Sequence, residues 1–194
     1  MKQRDPIFTP ELIKILKIFI FSALGVVLLL SFFNSYRADN TGEDRTFRVA
    51  DSDRIYFQNV RSINYERENR NDAGMVLFRH RQRLQSESRP TLDLVILMNP
   101  TKDEAYIYFE LKNAEWPIQI QLDSLGEMKT YDFANGNNQD HFSLFKNLLF
   151  AIEKDLDFEL TVEGESYQLW AGEKEKQALK TVMEDYLRLL AKTD

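Results

Sequence analysis

Sixteen consecutive residues near the start of the chain, 18–33 (IFIFSALGVVLLLSFF), carry no charge. A helix built from them has no polar face to turn toward water. With the preceding turn they form an apolar segment over residues 12–34, about 33 Å long at roughly 1.5 Å per residue. That length matches the hydrocarbon thickness of a bilayer, about 30 Å. The sequence therefore predicts a transmembrane helix, and with it a tether for everything that follows.

Basic residues set its direction. Lys2, Arg4, Lys14 and Lys17 precede the uncharged run, whereas only Arg37 follows it closely. The bias of Lys and Arg toward the cytoplasmic side places residues 1–11 in the cytoplasm and the rest of the chain outside. Lys14 and Lys17 have stems long enough to carry their ammonium groups to the headgroups. Tyr36 and Arg37 flank the other end. Phe33, Tyr36 and Arg37 stand where a signal-peptidase site needs small side chains, so the segment reads as an uncleaved signal anchor. The small residues Ser22, Gly25 and Ser31 do not fall at the spacing of a helix-pairing motif. Residues 35–46 are polar and include Gly42, which reads as a short linker.

Residues 47–194 are then the material for one domain of ordinary size. A hydrophobic content of 43% with 12% aromatics supports a packed core. There is no cysteine, so neither disulfides nor thiolate chemistry is available. No Asn-x-Ser/Thr glycosylation signal occurs, in keeping with a bacterial envelope and a periplasmic domain if the cell is Gram-negative. The formal charge of −6 is unevenly spread. Residues 45–90 hold ten Arg and no Lys against six acids, whereas residues 91–194 hold ten basic and twenty acidic residues.

Strand-like text opens the domain: residues 47–50, then 55–65 (IYFQNVRSINY), rich in β-branched and aromatic side chains. Residues 66–74 (ERENRNDAG) read as a loop, and 75–84 as an alternating strand. The run 92–98 (LDLVILM) is apolar but for Asp93, the pattern of a central strand buried on both faces. Residues 105–111 pair with it, 118–122 alternate cleanly, and 127–133 continue the series. A helix follows over 142–155, with Asp140 as its expected cap. A tight hairpin about Gly164-Glu165 comes next, then an amphipathic helix over 173–192. Strands succeed one another without helical crossovers. The expected fold is α+β: a transmembrane helix followed by one mainly antiparallel sheet with two helices packed on it.

The arginines carry the clearest chemical signal. Arg79, Arg81 and Arg83 alternate along one strand, and planar guanidinium groups grip carboxylates or phosphates in pairs of bonds. One reading is a face for an anionic partner; the other is a solvated face paired with the acidic half of the chain. His80 lies among arginines on an apolar face, as a packing residue. Asp140, His141 and Ser143 are too close in sequence at a helix start for triad geometry. Residues 135–140 (NGNNQD) fail the EF-hand template. Trp116, Tyr106, Tyr108 and Trp170 fit either core positions or the lining of a groove. No catalytic, metal or cofactor motif is present.

Three functions are compatible with these features. The first is a non-catalytic, membrane-anchored accessory protein whose domain docks a protein partner close to the membrane, with no nucleic acid involved. The second is a tethered ligand-binding or sensory domain, which needs a pocket of about 300–1,000 Å³. The third is an envelope hydrolase, which needs two carboxyl groups converging in a cleft.

Overall fold

The computed structural model describes residues 9–32, 46–124 and 127–190. The chain divides into two compact units, residues 1–43 and 44–194.

In the first unit helix α1 spans Pro10–Phe32. Its start follows from the sequence Thr9-Pro10-Glu11. The Thr9 hydroxyl accepts from the Leu12 N–H at 3.3 Å, proline occupies the first turn, and an acid sits near the positive end. Apolar side chains are exposed around its circumference, among them Ile15, Ile18, Phe19, Phe21 and Val27. Among the described residues no helix is long and apolar enough to cross a membrane. Glu11, Lys14 and Lys17 occupy the first turns, and the uncharged run with described side chains, residues 18–28, covers only about 16 Å. The expected span over residues 12–34 is thus unsupported by the described structure. Phe33 and Asn34, and the flanking Tyr36 and Arg37, lie outside the described residues, as does most of the expected linker.

The second unit is α+β, and it holds two antiparallel sheets where one was expected. Helix α2 covers Asp51–Tyr56, continues as a π-turn over Phe57–Arg61 and ends in a 3₁₀ turn over Ser62–Asn64. Eight strands follow: β1 Tyr65–Arg70, β2 Met75–His80, β3 Thr91–Asn99, β4 Glu104–Lys112, β5 Ile118–Ser124, β6 Glu127–Phe133, β7 Phe158–Val162 and β8 Glu165–Leu169. Helix α3, Asn138–Glu153, falls between β6 and β7, and helix α4, Glu173–Leu189, closes the chain. The first sheet has the order β1-β2-β3-β4 and the second β6-β5-β7-β8.

The single sheet expected from the strand series ends at β4 because the outer edge of β4 is already occupied. The Ala105 N–H donates to the Phe47 carbonyl at 2.9 Å, and Val49 N–H donates to the Asp103 carbonyl at 2.8 Å. Farther along, the Tyr186 hydroxyl donates to the Ala105 carbonyl at 3.4 Å, and the Phe109 N–H donates to His141 Nδ1 at 3.1 Å. With those backbone groups satisfied, β5 has no edge to join and starts a second sheet. Residues 47–50 accordingly make two isolated bridges, Arg48 to Glu104 and Val49 to Leu190.

Two other expectations change. Residues 55–64 are helical, not extended, and only Tyr65 of the expected strand is in one, at the start of β1: Asp51 and Asp53 favour a helix start, and Phe57 is buried while Ile55 and Ile63 are exposed. Residues 66–70 are strand, not loop; β1 pairs with β2 from Tyr65–His80 to Arg70–Met75. It is an edge strand, and its charges suit an edge that must not recruit another chain.

The rest of the order stands. Strand β3 lies inside the first sheet, buried along nearly its whole length. Helix α3 is capped by Asn137 in a reciprocal capping box with Asp140, so the expected cap residue is one half of the device and not the cap itself. The β7–β8 turn uses positive φ at both Glu163 and Gly164, as the two-residue hairpin requires. One apolar cluster draws on both sheets and on α3 and α4, including Ile96, Ile107, Ile120, Phe145, Leu148, Leu160 and Tyr186.

Candidate functional site

Successive side chains of a strand point to opposite faces, so the first sheet has an inner and an outer surface. Phe78, Ile96, Ile107 and Phe109 belong to the core cluster. The register sets Leu77 beside Leu97, Arg79 beside Val95, and Val95 beside Tyr108 on the other face. That outer face is the floor of an open concavity of about 340 Å³, lined by Leu77, Val95, Leu97, Tyr108 and Glu110 and bounded by Trp116, Asn135 and Gly136.

The walls come from distant parts of the chain. Trp116 stands between the two sheets, edge-on to Phe133 at 5.4 Å. Asn135, at φ 71°, and Gly136, at φ 154°, form the turn before α3. A Cβ at position 136 would run into the Asp140 side chain, so the close approach of turn and helix requires glycine. His141 locks this wall. It is buried, its Nδ1 accepts from the Phe109 N–H, and its Nε2 therefore carries the proton and donates to Asn135 Oδ1 at 2.9 Å. Burial lowers its pKa to about 4, which keeps it neutral. Asn135 itself lines the cleft.

Arg79, the cross-strand neighbour of Val95, holds the one carboxylate of the lining. Its Nε and Nη2 donate to the two oxygens of Glu110 at 2.7 and 2.6 Å, and Nη1 donates to Glu68 Oε2 at 2.6 Å. Those hydrogen bonds to Glu110 and Glu68 hold the guanidinium protonated against the opposing effect of burial. Burial pushes the Glu110 carboxyl upward, but the bonds and charge of Arg79, helped by Lys112, outweigh it and keep the group below its ordinary range. Glu110 is the one carboxylate on the lining, and it is held ionised. The cleft offers apolar surface, aromatic side chains and a few fixed polar groups, a combination suited to binding.

The three arginines of the expected anionic-partner face do not form one surface. Strand β2 ends at His80, so the alternation stops before Arg81. Arg79 is tied to Glu110 and Glu68. Arg83 donates through Nη2 to Glu66 Oε2 at 2.7 Å and through Nη1 to the His80 carbonyl at 3.0 Å. The hydrogen bond from Arg83 holds the Glu66 carboxyl below its ordinary range. Arg81 is exposed, and its Nε donates to the Ile63 carbonyl at 3.2 Å. Of the membrane-flanking residues, Lys14 and Lys17 lie on exposed positions of α1.

Arg83 also faces a second, much smaller hole, of about 10 Å³, shared with His80, Asp93 and Glu175. Asp93 Oδ2 and Arg83 Nε are both buried there without a hydrogen-bond partner among the described residues. Burial raises the Asp93 pKa to about 7, against the opposing charges of Arg83 and Lys112. Asp93 is the cross-strand neighbour of Glu110, yet it opens onto this hole and not onto the cleft. The two carboxyls therefore do not face a common substrate space. Among the described residues no group of three or more His, Asp or Glu is arranged to hold a metal ion.

Of the four aromatic candidates, Trp116 and Tyr108 line the cleft, whereas Trp170 and Tyr106 are buried. The sequence does not mark Leu77, Leu97 or Glu110 as site residues, and it offers the Asn135-Gly136 turn only as a loop that fails the calcium template. One signal pointed to them. Residues 92–98 carry apolar side chains on both faces, Asp93 apart, so the outer face needs a cover, and the cleft lies where Trp116 supplies only one wall of it.

Comparison with family models, with curated proteins and with solved structures finds no match to this chain.

Proposed function

We propose that this chain is a single-pass, membrane-anchored docking protein without catalytic chemistry of its own, whose domain holds an apolar segment of a partner protein in the cleft on the outer face of the first sheet. The cleft carries this reading: an apolar floor of Leu77, Val95 and Leu97 with Trp116 and Tyr108 at its sides. Its one charged lining residue, Glu110, is already neutralised by Arg79. A partner is recognised there by shape and apolar burial, with orientation from Asn135.

The anchor rests on the sequence of residues 18–33, uncharged to its end, and on the exposed apolar circumference of α1, which needs an apolar medium. Lys14 and Lys17 snorkel toward the headgroups in this reading. The N-terminus is cytoplasmic and the domain extracytoplasmic, as the basic bias directs.

A second reading has its own support, since about 340 Å³ falls within the range of small-molecule sites. One experiment separates the two. The full-length protein, crosslinked in its native membrane and purified, is compared with Leu97→Glu and Trp116→Ala variants of unchanged melting temperature. Loss of the same protein partner from both variants is the expected result. A partner list identical for all three proteins would sink the docking role of the cleft. A small molecule carried by the native protein and missing from both variants would favour the second reading.

A further inference from the structure

The ladder between β2 and β3 runs from Val76–Met98 to Arg79–Val95, and β3 extends past its end to Thr91. Asp93 therefore sits where β3 has lost its neighbour on that side. The chain after β2 and helix α4 close over this place, and between them lies the hole of about 10 Å³. Arg83 and Leu84 line it from the first, Leu179 and Val182 from the second.

Two polar atoms distinguish this hole from a gap in apolar packing. Asp93 is only 5% exposed and the Arg83 side chain only 9%. Asp93 Oδ2 and Arg83 Nε nevertheless have no hydrogen-bond partner among the described residues. One is an acceptor and the other a donor, and a buried polar group left in that state is costly. Arg83 has no freedom to turn its Nε elsewhere. Its Nη2 is fixed on Glu66 Oε2 at 2.7 Å and its Nη1 on the His80 carbonyl at 3.0 Å.

Size and charge select the occupant. A buried water needs about 10–15 Å³ of such space, so the hole holds one and no more. A cation there meets the Arg83 guanidinium, and an anion meets the carboxyls of Asp93 and Glu175. A neutral molecule that both accepts and donates satisfies the two orphaned atoms together. We propose that a single buried water occupies this hole, accepting from Arg83 Nε–H and donating to Asp93 Oδ2. It joins the Glu66–Arg83 pair to β3 at the point where β2 no longer does so. The site stands whether or not the cleft docks a partner.

Water-selective NOE and ROE spectra of the full-length, ¹⁵N-labelled protein in detergent micelles test this directly. The Arg83 Nε–H resonance, assigned by its loss in Arg83→Lys, is expected to show water cross-peaks of opposite sign in the two spectra, the signature of a bound water. Asp93→Leu takes away the acceptor and is expected to abolish them. A protected Nε–H with no water cross-peak overturns the site, as does an Nε–H that exchanges too fast to be seen. Scalar coupling from Arg83 Nε to the Asp93 carboxyl carbon also overturns it, because the two groups then touch directly. So does a shift of the resonance when sodium or ammonium chloride replaces choline chloride at constant ionic strength, since that puts a cation in the hole.

Discussion

Asp93 and His141 are buried titratable groups that respond to pH in opposite directions. Asp93 has its pKa raised by burial from 3.8 to about 7, so the folded chain keeps a proton that the unfolded chain releases across that window. Its contribution to stability is complete below the unfolded value and is lost as pH rises to about 7, at about 1.4 kcal/mol per unit. His141 has its pKa lowered from 6.5 to about 4, so the unfolded chain takes up a proton first and stability falls as pH drops through that window. The two slopes partly cancel, and a single profile conceals both. We expect Asp93→Asn to exceed the parent in stability at pH 8 by a few kcal/mol at most, with the advantage vanishing near pH 4. Urea midpoints of both proteins at half-unit intervals from pH 4 to 8 provide the check. A constant difference would mean that Asp93 titrates normally. Neither group was legible as such in the sequence, because burial of a polar side chain depends on what a distant element lays over it. The sequence placed His141 at a helix start, but its task in the fold, accepting the Phe109 N–H at the edge of β4, needed the structure.

Among the elements, β3, β4, the β7–β8 hairpin and both large helices were readable from periodicity, because their apolar spacing matches their own geometry. Residues 55–65 were not. Their β-branched and aromatic content favours a strand, yet residues 55–64 take helical turns that bury Phe57 against Tyr65 and Phe78 of the sheet. What fixes that segment is a tertiary latch. Asp185 of α4 accepts from Arg61 Nε at 2.6 Å and from the Tyr65 hydroxyl at 2.7 Å, with its side chain only 5% exposed. Local sequence cannot encode a partner more than a hundred residues away. Removing the carboxylate leaves Arg61 and Tyr65 without their shared acceptor, and Asp185→Ala should cost about 3–5 kcal/mol. Tyr65→Phe removes one hydrogen bond while Arg61 stays paired, and it should cost only about 1 kcal/mol. Chemical denaturation of the two variants tests the order. Equal losses would show that the hydroxyl, not the ion pair, carries the latch.

At the scale of the molecule, two sheets raise the question of whether residues 44–194 unfold as one body or two. The contacts between the sheets are specific. Trp170 Nε1 donates to the Leu92 carbonyl at 2.8 Å, a guanidinium nitrogen of Arg89 donates to the Gln168 carbonyl, and Phe109 meets Phe133 at 6.3 Å. The apolar cluster is also continuous, with Leu148 of α3 fully buried among residues from both sheets. A core shared in this way couples the stability of its parts, since neither sheet can lose its cover without exposing the other. Leu148→Ala should therefore destabilise the whole unit by about 2–5 kcal/mol. Tryptophan fluorescence, which reads Trp116 beside the cleft and Trp170 at the end of β8, should shift together with far-ultraviolet circular dichroism. If the two probes separated, the sheets would be independent modules and the cleft, whose Trp116 wall stands where they meet, would be a hinge. With coincident transitions the cleft is a fixed recess in one rigid body. Its shape is then set by the core beneath it, and the partner or ligand must fit the recess as it stands.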